Sequence, residues 1–166
     1  FFDLSSIEGE RGEFASGASM LREGLHQAGG NLTSDPMFWR LFLKLAEFEF
    51  NIGRQDDAIR ILMDGLSVID DSFKDFELAK GRIHYLLGQF FLHLGRQYDA
   101  IPHLEMACTF LQRIGDRKSA AEAALLIAEN HHNVDENLKK AVYLSMQIGW
   151  RQGLEKARSL GSVIPA

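Results

Sequence analysis

Leu86-Leu87-Gly88-Gln89-Phe90-Phe91-Leu92-His93-Leu94-Gly95-Arg96-Gln97-Tyr98-Asp99-Ala100-Ile101-Pro102-His103-Leu104-Glu105-Met106-Ala107-Cys108, running on to Leu111, decides the fold. Two apolar stripes at helical spacing meet at Gly95. Small residues at Gly88, Ala100 and Ala107 stand beside large ones such as Leu87, Phe91 and Leu104. A small residue on a helix face lets a second helix approach, and the large neighbours fill the space beside it. Gly95 can take the positive φ that closes one helix and turns the chain back. The stretch therefore predicts one helical hairpin.

On either side the chain repeats this unit. Towards the N-terminus, Phe1 to Glu10 predicts a weak helix ending at Gly9, and Ala15 to Gln27 a second with Ala18, Leu21 and Leu25 in register. Asp35-Pro36 is a start signal for Met37 to Ile52, dense in aromatics. Gly53 breaks that helix, and Asp57 to Ile69 forms the next. Towards the C-terminus, Asp116 is a natural cap for Arg117 to Asn130. His131 to Asn137 is expected as a polar turn, followed by helices at Leu138 to Ile148 and Gly153 to Ile164. The 3 prolines are expected where helices start. No stretch alternates as a strand does, so the expected class is all-α.

Internal repetition supports this. The pattern glycine, small residue, leucine, small residue recurs as Gly12…Gly17…Leu21…Gly24, Gly53…Ala58…Leu62…Gly65 and Gly95…Ala100…Leu104…Ala107. The offsets are 53 − 12 = 41 and 95 − 53 = 42. Gly53-Arg54-Gln55 and Gly95-Arg96-Gln97 share a tripeptide, and Ile114-Gly115-Asp116-Arg117 is echoed by Ile148-Gly149-Trp150-Arg151. A lone hairpin cannot bury both faces, so hairpins of this kind stack.

Composition narrows the function. A net charge of −5 argues against general nucleic-acid binding, which needs surplus cations against phosphate. The single Cys108 cannot form an intrachain disulfide, which suits a reducing, cytoplasmic compartment. No apolar run reaches the ~18 residues of a membrane span. An opening on Phe1 rather than Met reads as a processed or excised piece of a longer protein.

His84-x-x-Leu87-Gly88-x-x-Phe91, Gly95 and Ala100-x-x-x-Leu104-x-x-Ala107 resemble the tetratricopeptide repeat, whose period is ~34 residues. His84 replaces the usual tryptophan, Leu104 the usual aromatic, and the terminal proline is absent. The longer periods are similar to the extended repeats of spindle-orientation adaptors and of maltose-regulator-type bacterial transcription factors. The resemblance implies a right-handed superhelical solenoid: a partial repeat over 1–30, repeats over 36–71, 76–114 and 116–148, and a last helix over 150–166.

It also implies a binding groove rather than a catalyst. In such repeats the second, fifth, ninth, twelfth and thirteenth positions of each first helix line the concave face. Here these are Arg40, Leu43, Glu47, Phe50 and Asn51, then Arg82, Tyr85, Gln89, Leu92 and His93, then Glu122, Leu125, Glu129, His132 and Asn133. Polar and apolar groups mix on that face as a peptide groove requires; the plainer alternative is that they solvate a spacer. The carboxylate clamp of chaperone-tail binders is missing, since Phe2, Leu43 and Tyr85 hold the fifth positions and Ser6, Glu47 and Gln89 the ninth. A basic and apolar partner suits Glu47 and Glu129, although Arg40 and Arg82 leave room for an acidic one.

Catalysis is not expected. His84, His93 and His103 fall in different parts of the hairpin pattern, and no cysteines stand at metal-ligand spacing. Cys108 reads as a buried, inert thiol. The glycines stand at helix ends and form no phosphate loop. No cofactor is called for. Two classes remain, an interaction scaffold and the ligand- or peptide-sensing module of a regulator, with self-association through Phe1, Phe2 and Leu4 as a third reading.

Overall fold

Gly53, Gly95, Gly115 and Gly149 all adopt positive φ, between 64° and 90°, and each closes a helix in the same way. The residue after the glycine donates its N–H to the carbonyl five residues back. Arg54 bonds Glu49, Arg96 bonds Phe91, Asp116 bonds Leu111 and Trp150 bonds Ser145, at 2.8–2.9 Å. The glycine itself donates to the carbonyl three residues back. This pair of bonds satisfies the end carbonyls that a helix would otherwise leave open. The next helix begins at the following residue, so an aliphatic residue, glycine and one more residue make the whole connection.

The computed structural model describes residues 7–28, 38–69, 72, 75–130 and 134–161. These form eight helices and no strand: α1 (Ile7–Ala28), α2 (Phe38–Asn51), α3 (Gln55–Val68), α4 (Phe76–His93), α5 (Gln97–Arg113), α6 (Arg117–Asn130), α7 (Val134–Gln147) and α8 (Arg151–Gly161). The chain is all-α, and no helix among the described residues is long and apolar enough to cross a membrane. Contacts gather into two compact units, Phe1–Ala79 and Lys80–Ala166, with the boundary inside α4.

In the first unit α2 packs against α1 and α3. Ala58, Leu62 and Gly65 give α3 a buried stripe at i, i+4, i+7, and Gly65 seats the Phe42 ring of α2. Gly17 does the same on α1 for Phe48. Trp39 is core, not groove. Glu49 is fully buried; its carboxylate meets Arg22 of α1 at 2.5 Å and Arg54 at 3.6 Å. Both are ion pairs rather than formed hydrogen bonds, the Arg54 contact being too long for one and the Arg22 contact poorly aligned. The charge is tolerated because two guanidiniums offset its lost hydration.

In the second unit Ala100, Leu104, Ala107, Cys108 and Leu111 form the buried face of α5. Gly88 and Gly81 of α4 lie against Leu104 and Leu111 of that face. Nearly every residue of α6 from Ser119 to Ala128 is buried, because α5, α7 and α8 all pack on it. Asp116 caps α6 as expected: its Oδ1 accepts the Ser119 N–H at 3.1 Å.

Several expectations are corrected. Helix α1 runs unbroken through Gly9 and Gly12, so Gly12 is no counterpart of Gly53 and Gly95. Without the aliphatic-Gly-X close, an isolated glycine only weakens a helix. Helix α7 begins at Val134, four residues before Leu138, with Asp135 and Glu136 favoured in its first turn. Pro102 lies in the second turn of α5 rather than at a helix start. It sits on the exposed face, where water can serve the carbonyl its missing N–H leaves unbonded. Phe1, Phe2, Leu4, Asp35-Pro36, His131, His132 and Asn133 lie outside the described residues.

Candidate functional site

Tyr85 and Gln89 lie one turn apart on α4, Glu122, Leu125 and Leu126 share a face of α6, and Trp150 and Lys156 belong to α8 and its cap. Together they line one open cleft of about 230 Å³ within the second unit. Leu125, only 1% exposed, belongs to the hydrophobic core and forms the floor of the cleft rather than projecting from its face. Tyr85, Leu92 and Trp150 are partly buried and pack against that core. The Tyr85 hydroxyl donates to Glu122 Oε2 at 3.3 Å. Burial, with the Glu122 carboxylate beside it, pushes the phenol above its ordinary range, so it stays a neutral donor. At the rim Lys156 Nζ pairs with Glu129 Oε1 at 2.9 Å. The Trp150 ring folds back over buried Gly153, where any Cβ would overlap it, so only glycine at that position admits the ring.

Arg82 is engaged inside the fold. One guanidinium nitrogen donates to Asp116 Oδ2 at 2.6 Å and the other to Ser119 Oγ at 3.1 Å. It therefore ties α4 to the cap of α6. Leu92 is half-buried, while Gln89, His93 and Glu129 are exposed.

In the first unit Arg40, Leu43, Glu47, Phe50 and Asn51 lie on α2. The Arg40 guanidinium sits over the Trp39 ring, 5.3 Å from its centroid. Lys44 donates to Glu47 at 2.7 Å, and Asn51 Nδ2 donates to the Glu47 carbonyl at 2.8 Å. Leu43, Glu47 and Phe50 are half-buried. A groove of about 410 Å³ between α1 and α2 includes Met20, Leu21, Leu41 and Phe48 and is flanked by Arg40 and Lys44. Of the five expected residues, it takes in only Arg40.

Other chemistry-bearing groups are internal. Cys108 is buried and its thiol faces the Ala120 carbonyl at 3.4 Å; burial raises its pKa. His84 and His103, expected to fall apart, meet with Nδ1···Nδ1 2.9 Å between α4 and α5. One ring must donate and the other accept. Burial, then the neighbouring His103 and Lys80, lowers His84 to about 4, and burial lowers His103 as well. Among the described residues no group of three or more His, Cys, Asp or Glu side chains is placed to hold a metal ion.

Sequence reasoning passed over Trp150, Lys156 and Leu126. The signal for two of them was the turn echo. The offset that carries Gly115 to Gly149 (149 − 115 = 34) also carries Glu122 onto Lys156 and the capping Asp116 onto Trp150.

No protein-family model and no curated protein sequence matches this chain. Among solved structures, BtubC (BKLC) from P. vanneervenii is similar, with a TM-score of 0.53 and 18% identity over 95% of this chain and 78% of that one. At that identity the likeness concerns the fold alone.

Proposed function

We propose that this chain is a protein-interaction scaffold of tetratricopeptide-like repeats, taking a partner segment along α4, α6 and α8 of the second unit. The observation that carries the reading is the cleft shared by α4, α6 and α8. These are the alternate helices that the repeat pattern assigns to the inner face of a solenoid. The cleft joins an apolar floor to a polar rim, the mixture that holds a peptide's side chains and backbone together. At about 230 Å³ it is smaller than the ~300–1,000 Å³ of most small-ligand sites and suits one side chain of a longer partner. A sensor reading has the α1–α2 groove, about 410 Å³, as its natural site; a small ligand there would raise the melting temperature of the free chain.

Selection of peptides from a random display library, followed by anisotropy titrations, tests the scaffold reading. Selected peptides should lose at least about tenfold in affinity for Tyr85→Ala/Gln89→Ala, while helicity is kept. Peptides that bind the double variant as tightly as the parent would overturn it.

A further inference from the structure

The cleft carries a more specific chemistry. Its rings are Tyr85 and Trp150, and its buried floor is Leu125 beside Leu126. Charges at its edge are already matched in all but one case. Arg82 is held by Asp116, and Lys156 by Glu129. The remaining charge is Glu122, whose carboxylate accepts the Tyr85 hydroxyl and pairs with no cation among the described residues. A carboxylate beside two aromatic rings, above an apolar floor, attracts a flat cation: the rings take its face and the carboxylate takes its N–H groups. An acidic side chain would meet Glu122 with like charge, and the cations that could offset this are engaged elsewhere.

We propose that this cleft receives an arginine side chain from a partner protein, stacked on Tyr85 and Trp150 and paired with Glu122. The proposal rests on the scaffold reading and deepens it by naming the residue the partner presents. Arginine fits better than lysine because its planar guanidinium can stack and hydrogen-bond at once. A net charge of −5 on the chain favours the approach of a basic segment. Gly153 belongs to the device, since it lets the Trp150 ring lie where the guanidinium would stack.

The probes are three capped tripeptides, acetyl-Leu-X-Leu-amide, with arginine, norleucine or glutamate at X. They are titrated into the ¹⁵N-labelled chain while the Trp150 indole N–H signal is followed, assigned with Trp150→Phe. The arginine peptide should shift that signal saturably, with the norleucine peptide at least about tenfold weaker. Glu122→Gln, which keeps size and fold, should weaken the arginine peptide about tenfold and leave the norleucine peptide unchanged. Tyr85→Phe, which keeps the ring, should bind within about threefold of the parent, whereas Tyr85→Leu should not. Thermal melts establish that each variant is folded, and Glu122→Gln decides the matter if Tyr85→Leu is not. Equal binding of arginine and norleucine peptides, preference for glutamate, or no Trp150 shift with any peptide would each overturn the proposal. If library-selected peptides bind through Tyr85 and Gln89 but carry no arginine, the scaffold reading stands and the arginine site falls.

Discussion

Gly88→Ala tests the packing that makes the α4–α5 hairpin. A Cβ on residue 88 would stand 2.5 Å from both Cγ and Cδ2 of Leu104, where ordinary carbon contacts are about 3.5–4.0 Å. More than about 1 Å must therefore be absorbed, and Cγ, unlike a side-chain tip, cannot swing clear. Leu104 is fully buried, so the displacement passes into its neighbours. Overpacking of this kind costs about 1–3 kcal/mol, here near the upper end. Replacing a mid-helix glycine by alanine returns about 1 kcal/mol of helix propensity. The net expectation is a loss of about 1–2 kcal/mol. Leu104→Ala alone should cost about 2–5 kcal/mol through its cavity. The double variant should cost clearly less than the two losses together, because the new methyl occupies part of the space Leu104 leaves. Urea denaturation followed by far-ultraviolet circular dichroism, with midpoint and slope both fitted, reads these values. Stabilisation by Gly88→Ala, or strict additivity of the pair, would refute the close contact.

The histidine pair predicts a pH response. Unfolded histidine titrates near about 6.5, and folded His84 is lowered to about 4 by burial, then by His103 and Lys80. The unfolded chain thus takes up the proton first. This contribution is fully present above about pH 6.5 and is lost as pH falls towards about 4. Linkage gives about 2 kcal/mol by pH 5, which solvent screening of the partly exposed ring reduces to about 1; His84→Gln should flatten the fall in melting temperature, and an unchanged slope would argue against it. Arg22→Met leaves buried Glu49 with Arg54 alone at 3.6 Å and should cost roughly 2 kcal/mol. Adding Glu49→Gln should restore part of it in the same urea assay. Gly153→Ala should eject the Trp150 ring, shift its fluorescence to the red and cost about 1–3 kcal/mol; an unmoved emission maximum would count against the ring's placement.

Legibility in the sequence followed the physics that acts locally. The closes at Gly53, Gly95, Gly115 and Gly149 were readable because backbone geometry singles out glycine there. The Asp116 cap was readable for the same kind of reason, being satisfied within three residues. Gly12 misled because an isolated glycine inside a helix looks like one at its end until the flanking pattern is weighed. The cleft was legible in part. Tyr85, Gln89 and Glu122 followed from register, but Leu125 sits on the floor because α6 is enclosed on several sides, which periodicity along one helix does not reveal. Arg82 looked available for a partner because its bonds go to Asp116 and Ser119, more than thirty residues away. His84 and His103, on facing helices of one hairpin, meet through a contact that periodicity along either helix does not show.

The proposed scaffold presents its binding surface in the second unit on α4, α6 and α8. Amide and methyl chemical-shift mapping with a library-selected peptide addresses it directly. The largest perturbations should gather at Tyr85, Gln89, Glu122, Leu126 and Trp150, with α5 and α7 little changed. Perturbations concentrated on exposed positions of α5 and α7, such as Tyr98, Met106 and Tyr143, would contradict it.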